Sequence, residues 1–261
     1  MTGGRGIRDW LSLAVIGLLG GLLSGAFGVG GGIIMVPLLI ALARMNERQA
    51  ASTSLVAIIP ASSVGVITYL VQGHVDLIAG MIIATGAVIG AVIGSRLLHR
   101  IPLMWLRWMF IALLLVIAAR LLLVAPVRGE DLELTWYVGI GYVALGLIMG
   151  IASGLFGIGG GVIAVPGLIA VFGVSDLIAK GTSLLVVIPT GIVGTLAHLR
   201  RGGVDVPAGI VVGVAATAAS APGVALALVI PPKLSGILFA VLLLLAAIQL
   251  IITAIVGRPR R

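Results

Sequence analysis

The chain alternates long apolar stretches with short polar joints. Runs such as Ile78 to Gly94, Leu103 to Ala119 and Ile237 to Val256 are long enough, or nearly so, to cross a hydrocarbon core of ~30 Å as helices. Trp10 to Phe27 and Ile33 to Ala43 flank a glycine-rich phrase, and Ala50 to Val71, Leu77 to Leu97 and Leu103 to Val124 follow. A polar linker, Ala125 to Thr135, precedes Trp136 to Phe156, Val162 to Phe172, Ile178 to Leu199, Val206 to Val229 and Leu234 to Val256. Ile33 to Ala43 is only 11 residues, about 16 Å as a helix, too short to cross. That arm and its counterpart are expected to be re-entrant or extended by the next polar turn, so the segments number ten or eight. A membrane β-barrel would alternate polar and apolar residues. Leu113 to Ile117 and Val241 to Leu245 do not.

The pattern repeats. Displaced by 129 residues, Ser24 to Ala41 matches Ser153 to Ala170 at 13 of 18 positions. The match continues through Thr53-Ser54-Leu55 with Thr182-Ser183-Leu184, Pro60 with Pro189, Gly65 with Gly194, and Val75-Asp76 with Val204-Asp205. Glu47 falls opposite Asp176. The period is too long for a solenoid and has the size of half a transporter. The expected organisation is a first membrane repeat over residues 1–124, an external linker over 125–135, and a second, inverted repeat over 136–261.

Composition agrees with a lipid environment. The 261 residues are 61% hydrophobic and 9% charged, with mean hydropathy +1.31. A soluble domain carries about a quarter charged residues. The fold class expected is therefore an all-α polytopic membrane protein. The net charge of +8 is read as loop anchoring at the cytoplasmic face, with no nucleic-acid partner. The absence of cysteine removes disulfides, thiolate metal sites and cysteine nucleophiles. Residues Met1 to Asp9 lack a cleavage pattern, so the first apolar run is expected to be retained.

The charges also orient the chain. Arg5 and Arg8, the Arg96 to Arg107 connection, Arg200-Arg201, and Arg258, Arg260 and Arg261 should lie inside. The linker sets Arg128 against Glu130, Asp131 and Glu133 and should face out. One threading satisfies all of these: each half is a broken hairpin plus three spans, and the two halves cross in opposite senses. Both termini are then cytoplasmic. Gly73-His74 lies outside, and its counterpart Gly202-Gly203 inside.

The candidate chemistry sits in "SGAFGVGGGIIMVP" (Ser24 to Pro37) and "SGLFGIGGGVIAVP" (Ser153 to Pro166). Glycine weakens a helix by ~1 kcal/mol relative to alanine. Gly28, Gly30, Gly31 and Gly32, and likewise Gly157, Gly159, Gly160 and Gly161, should therefore unwind it. Broken backbone at membrane depth is tolerated only when protein buries it or a cavity hydrates it. A helix restarting beside bare glycine backbone presents free N–H groups to an anion. Close helix packing is the competing reading; it fits the spaced seam of Gly86, Gly90 and Gly94 better than a consecutive run. Neither phrase has the lysine of a phosphate-binding loop or the frame of a dinucleotide site.

"STSL" and "GTSL", at Ser52 and Gly181, open the next apolar segments. Thr53, Ser54, Thr182 and Ser183 suit either a helix cap or an oxyanion. Ser24 and Ser153 head the two phrases. Lys180 adjoins the second copy, as an anion ligand or a loop anchor. Glu47, Asp76, Asp176, Asp205 and His198 lie at segment ends, as caps or interfacial residues or as groups coupled to proton movement. Asp205 has Arg200-Arg201 at hand to pair with, and Arg120 is placed to snorkel. The sequence offers no run of intramembrane carboxylates of the kind a cation pump needs, which favours an anion or a neutral polar substrate. No HExxH, GxSxG or paired buried carboxylates point to an enzyme. No metal or cofactor is expected.

The paired phrases with "STSL" and "GTSLLVVIPT" closely resemble the TauE/SafE family of sulfite-exporter-like permeases over nearly the whole chain. The resemblance implies a protein of the prokaryotic cytoplasmic (inner) membrane that moves sulfite or organosulfonates, outward. The leading expectation is a secondary transporter whose inverted repeats alternate around the two breaks. An anion channel, or a permease for a non-sulfur organic anion, uses the same features. The lipid bilayer and a small anion are the expected partners, and a homodimer is compatible with the sequence.

Overall fold

A computed structural model describes residues 6–123, 135–200 and 203–256. Residues 125–134 of the linker, Arg5, Arg201, Gly202 and the C-terminal arginines lie outside the described residues. Ten helices follow in order: α1 Ile7–Phe27, α2 Gly32–Ala41, α3 Glu47–Val71, α4 Leu77–Leu98, α5 Leu103–Leu123, α6 Trp136–Phe156, α7 Gly161–Phe172, α8 Asp176–Leu199, α9 Val206–Val229 and α10 Pro232–Val256. Eight are long and apolar enough to cross a membrane; α2 and α7 are not. At 10 and 12 residues they are about 15 and 18 Å long.

The helix boundaries follow the apolar pattern, with one correction. α3 and α8 begin at Glu47 and Asp176, not at Ala50 and Ile178. Their starts are polar because Asn46 caps α3, its side chain accepting from Gln49 N, and Ser175 precedes α8. Thr53, Ser54, Thr182 and Ser183 therefore lie about two turns inside their helices and do not cap them.

Glycine contacts give the helix directions. Gly17, Gly21 and Gly25 of α1 face Val212, Ala216 and Ser220 of α9 in ascending order, so this pair is parallel. Gly86, Gly90 and Gly94 of α4 face Val143, Leu147 and Ile151 of α6, again parallel. In both seams a side chain on the glycine would strike backbone, which is the close approach small residues permit between membrane helices. α3 and α8 run antiparallel: Gly181 lies on Tyr69, Gly65 on Leu184 and Gly194 on Leu55. These two helices are the same element of the two halves. Their opposed directions make the repeats inverted.

The halves interlock. α1 packs on α9 and α6 on α4, while α3 with α8 and α5 with α10 pair across the pseudo-two-fold axis. The helix directions put Arg8, Arg44, Arg48, Arg96, Arg100, Arg107 and Arg200 at one end of the bundle. Arg120, Lys180 and Lys233 lie at the other. The outer surface between the ends is apolar, with exposed side chains such as Leu18, Ile89, Val116, Ile148 and Leu245, as lipid requires.

Candidate functional site

Both breaks have the same backbone. α1 ends on Gly28 at φ 70° and α2 starts after Gly31 at φ 79°. α6 ends on Gly157 at φ 69° and α7 starts after Gly160 at φ 79°. These left-handed angles suit glycine and cost other residues roughly 1–2 kcal/mol. Gly28 N donates to Ser24 O (2.8 Å) and Gly157 N to Ser153 O (2.9 Å), closing each helix. Ser24 to Ile33 and Ala152 to Val162 are buried throughout. The tip at Gly30 rests against Val187 and Ser62, and the tip at Gly159 against Ile58 and Val187. Those residues lie halfway along α3 and α8, so both breaks turn back in the middle of the bundle.

The two breaks touch. A side chain at Gly32 would collide with Gly157 and Ile158, and one at Gly161 with Gly28 and Val29. Each is also held by the third helix of the opposite half. Ser54 Oγ donates to Gly157 O (2.7 Å) and to Ala51 O (2.8 Å). Ser183 Oγ donates to Gly28 O and to Lys180 O. The neighbouring threonines receive instead: Asp205 N donates to Thr53 Oγ1 (3.1 Å) and Asp76 N to Thr182 Oγ1 (2.9 Å). The Thr-Ser pairs thus tie the breaks to the starts of α9 and α4. Among the described residues four buried hydroxyls, of Ser24, Ser62, Ser153 and Thr195, have no hydrogen-bond partner. Ser24 and Ser153 sit one turn before each break.

The remaining sequence candidates lie toward the bundle ends. Asp76 and Asp205 cap α4 and α9, accepting from Ala79 N (2.9 Å) and Ala208 N (3.2 Å). Glu47 pairs with Arg107. Lys180 is 1% exposed, and its Nζ donates to Asp176 (2.7 Å) and Ser235 Oγ (2.8 Å). His198 is at the end of α8, as expected, but is buried rather than interfacial. It lies 3.3 Å from Gly154 O and 3.4 Å from His99 Nε2. Its repeat counterpart, Tyr69, donates to Gly25 O at 2.8 Å. Arg120 lines a cavity with Lys180. Among the described residues, no three His, Asp or Glu side chains converge as a metal site would require.

Sequence reasoning missed Arg107, His99, Ser62 and Ser235. It also missed two aromatic stacks, Phe27 on Phe239 and Phe110 on Phe156. A signal for the stacks was present: Phe27 and Phe156, and Phe110 and Phe239, are themselves separated by the repeat offset.

Inverted halves, eight helices able to cross a membrane, and two broken helices meeting in mid-bundle define a polytopic membrane transporter of the inverted-repeat class. The profile of the sulfite exporter TauE/SafE family matches residues 2–121 and 142–261, one stretch in each half. The chain belongs to that family. It is 26% identical over 221 residues to the probable membrane transporter protein YunE of Bacillus subtilis, covering 76% of this chain and 81% of that one. It is 32% identical over 193 residues to a probable membrane transporter protein of Xylella fastidiosa, covering 72% and 74%. A shorter match, 32% over 100 residues, links it to sulfite exporter TauE/SafE family protein 1 of Arabidopsis thaliana, covering 38% and 22%.

Proposed function

We propose that the protein is a secondary transporter that exports small oxyanions, sulfite or an organosulfonate, across a prokaryotic cytoplasmic membrane. The observation carrying this reading is the pair of equivalent glycine breaks touching in mid-bundle, with the orphan hydroxyls of Ser24 and Ser153 one turn away. Backbone N–H groups at the starts of α2 and α7, with serine hydroxyls, are hydrogen-bond donors suited to sulfur-bound oxygens. In the conformation described, the breaks close on one another. Substrate binding requires them to part, and inverted halves allow them to part toward either face. In this reading the arginine-rich end faces the cytoplasm, and both termini with it. No nucleotide-binding motif occurs in the sequence, so the substrate or proton gradient supplies the energy.

The test is a thermal-shift and uptake screen on purified, reconstituted protein. Sulfite, thiosulfate, sulfoacetate and taurine are compared with acetate, nitrate and phosphate. Stabilisation and saturable uptake confined to the sulfur oxyanions are expected. An equal response to all anions would remove the sulfur assignment, and no response to any would remove the anion assignment.

A further inference from the structure

Two small cavities occupy repeat-equivalent places at opposite ends of the bundle. One is lined by Phe27, Asp176, Lys180, Ser235, Phe239 and Arg120, the other by Phe156, Glu47, Ala51, Leu106, Phe110 and Arg107. A displacement of 129 residues converts Glu47 to Asp176, Ala51 to Lys180, Leu106 to Ser235 and Phe110 to Phe239, and relates Phe27 to Phe156. The cavities measure about 30 and 10 Å³, room for no more than about one water molecule.

Each is built in the same layers. Nearest the bundle end is an acid–cation pair, Asp176 with Lys180 or Glu47 with Arg107. Next is a stacked phenylalanine pair. Phe27 and Phe239 have centroids 5.0 Å apart at 15°, and Phe110 and Phe156 5.0 Å apart at 14°. Innermost is the break: Phe27 immediately precedes Gly28, and Phe156 precedes Gly157. The Cα of Lys180 would lie 2.5 Å from a Cβ at Gly28, and the Cα of Ala51 equally close to one at Gly157. Each cavity therefore lies between one end of the molecule and one break, lined on its inner side by the phenylalanine that precedes the break.

The charges carry the argument further. The acid keeps its repeat position in both halves, but the cation does not. Lys180 of α8 corresponds to Ala51, and Arg107 of α5 to Gly236. The same pairing has been built twice from non-equivalent residues, so the pairing itself is the feature and not a relic of duplication. Lys180 is buried and Arg107 half-buried, and a cation withdrawn from water needs a counter-charge. A carboxylate supplies it here, and an incoming oxyanion has the same charge and the same acceptor oxygens.

We propose that these cavities are the two opposite-facing entrances to the break site. Lys180 and Arg107 receive the anion, Asp176 and Glu47 occupy those cations until it arrives, and the phenylalanine stacks close the way inward. The proposal rests on the anion-transport reading. It adds that the carboxylates compete with substrate: neutralising Asp176 or Glu47 strengthens anion capture at that end only.

The absence of cysteine allows a direct test with the full chain in proteoliposomes. Gly236→Cys places a thiol in the first cavity, where a side chain meets nothing within 4 Å, and Leu106→Cys places one in the second. The probes are a membrane-impermeant sulfonatoethyl methanethiosulfonate and its trimethylammonium counterpart. Gly236→Cys should react only from the His74 end and Leu106→Cys only from the arginine-rich end. The anionic probe should lead by about tenfold, the lower range of electrostatic steering. Asp176→Asn and Glu47→Gln should widen that lead, each at its own end, and methanesulfonate should protect. If a thiol is silent, the measurement is repeated with Phe239→Ala or Phe110→Ala. Silence there, reaction of both thiols from one end, or equal rates for the two probes overturns the entrances. Sulfonate flux that persists alongside such a failure leaves the transport reading standing. Sided, anion-selective labelling without sulfonate flux removes the transport reading instead.

Discussion

Gly28 and Gly157 are fixed by angle and by space at once. A side chain at Gly28 would need φ 70° and would meet Lys180 Cα at 2.5 Å. Gly28→Ala should therefore cost about 2 kcal/mol or more, read as lowered thermal stability in detergent. Gly236→Ala, in open space on α10, should leave the melting temperature unchanged or raised. The serine hydroxyls are a gentler probe. Ser54→Ala and Ser183→Ala each deprive the opposite break of one hydrogen bond, worth about 0.6–1.7 kcal/mol between membrane helices. Each should lower sulfonate uptake, and because their roles are equivalent the two losses should be of similar size. An unchanged uptake in both would detach the Thr-Ser pairs from the site. The sequence revealed these residues because duplication wrote them twice at a fixed offset. It concealed Glu47 with Arg107 and His198 with His99, because each pair joins separate helices through the folded packing and no local pattern records such a contact.

Among the elements, the apolar runs predicted all ten helices, and glycine marked the ends of α1 and α6 by supplying left-handed caps. The starts of α3 and α8 were obscured. Glu47 and Asp176 read as joint residues, yet each lies in a first helical turn, where a carboxylate is favoured by the helix dipole. The seam of Gly86, Gly90 and Gly94 was readable from its spacing, but its partner, α6, was not. That pairing depends on the inverted arrangement, which brings the fourth element of one half onto the first of the other. Gly90→Leu would press a side chain into Leu147 O and Gly150. It should destabilise the α4–α6 pair by about 1–3 kcal/mol, seen as a lower melting temperature. A smaller loss is expected for Gly139→Leu on α6, where a Cβ would meet nothing within 4 Å.

At the scale of the whole molecule, inversion follows from two independent lines. Charge along the sequence demands it, and the antiparallel contact of α3 with α8 displays it. Single cysteines at His74 and Gly203 should react with an impermeant thiol reagent from opposite faces, and labelling of both from the same face would refute the topology. Inversion also gives transport its physical basis. In the mechanism we propose, two halves of one fold packed in opposite senses would exchange conformations at little net cost, presenting a site on their axis to each face in turn. The measurement that tests this most directly is counterflow in proteoliposomes loaded with unlabelled organosulfonate and given labelled substrate outside. The expected result is a transient, saturable accumulation of label that Gly31→Leu and Gly160→Leu each abolish while the protein still inserts in the membrane. Label that equilibrates passively without overshoot or saturation, or accumulation that survives both substitutions, would contradict an alternating site at the glycine breaks.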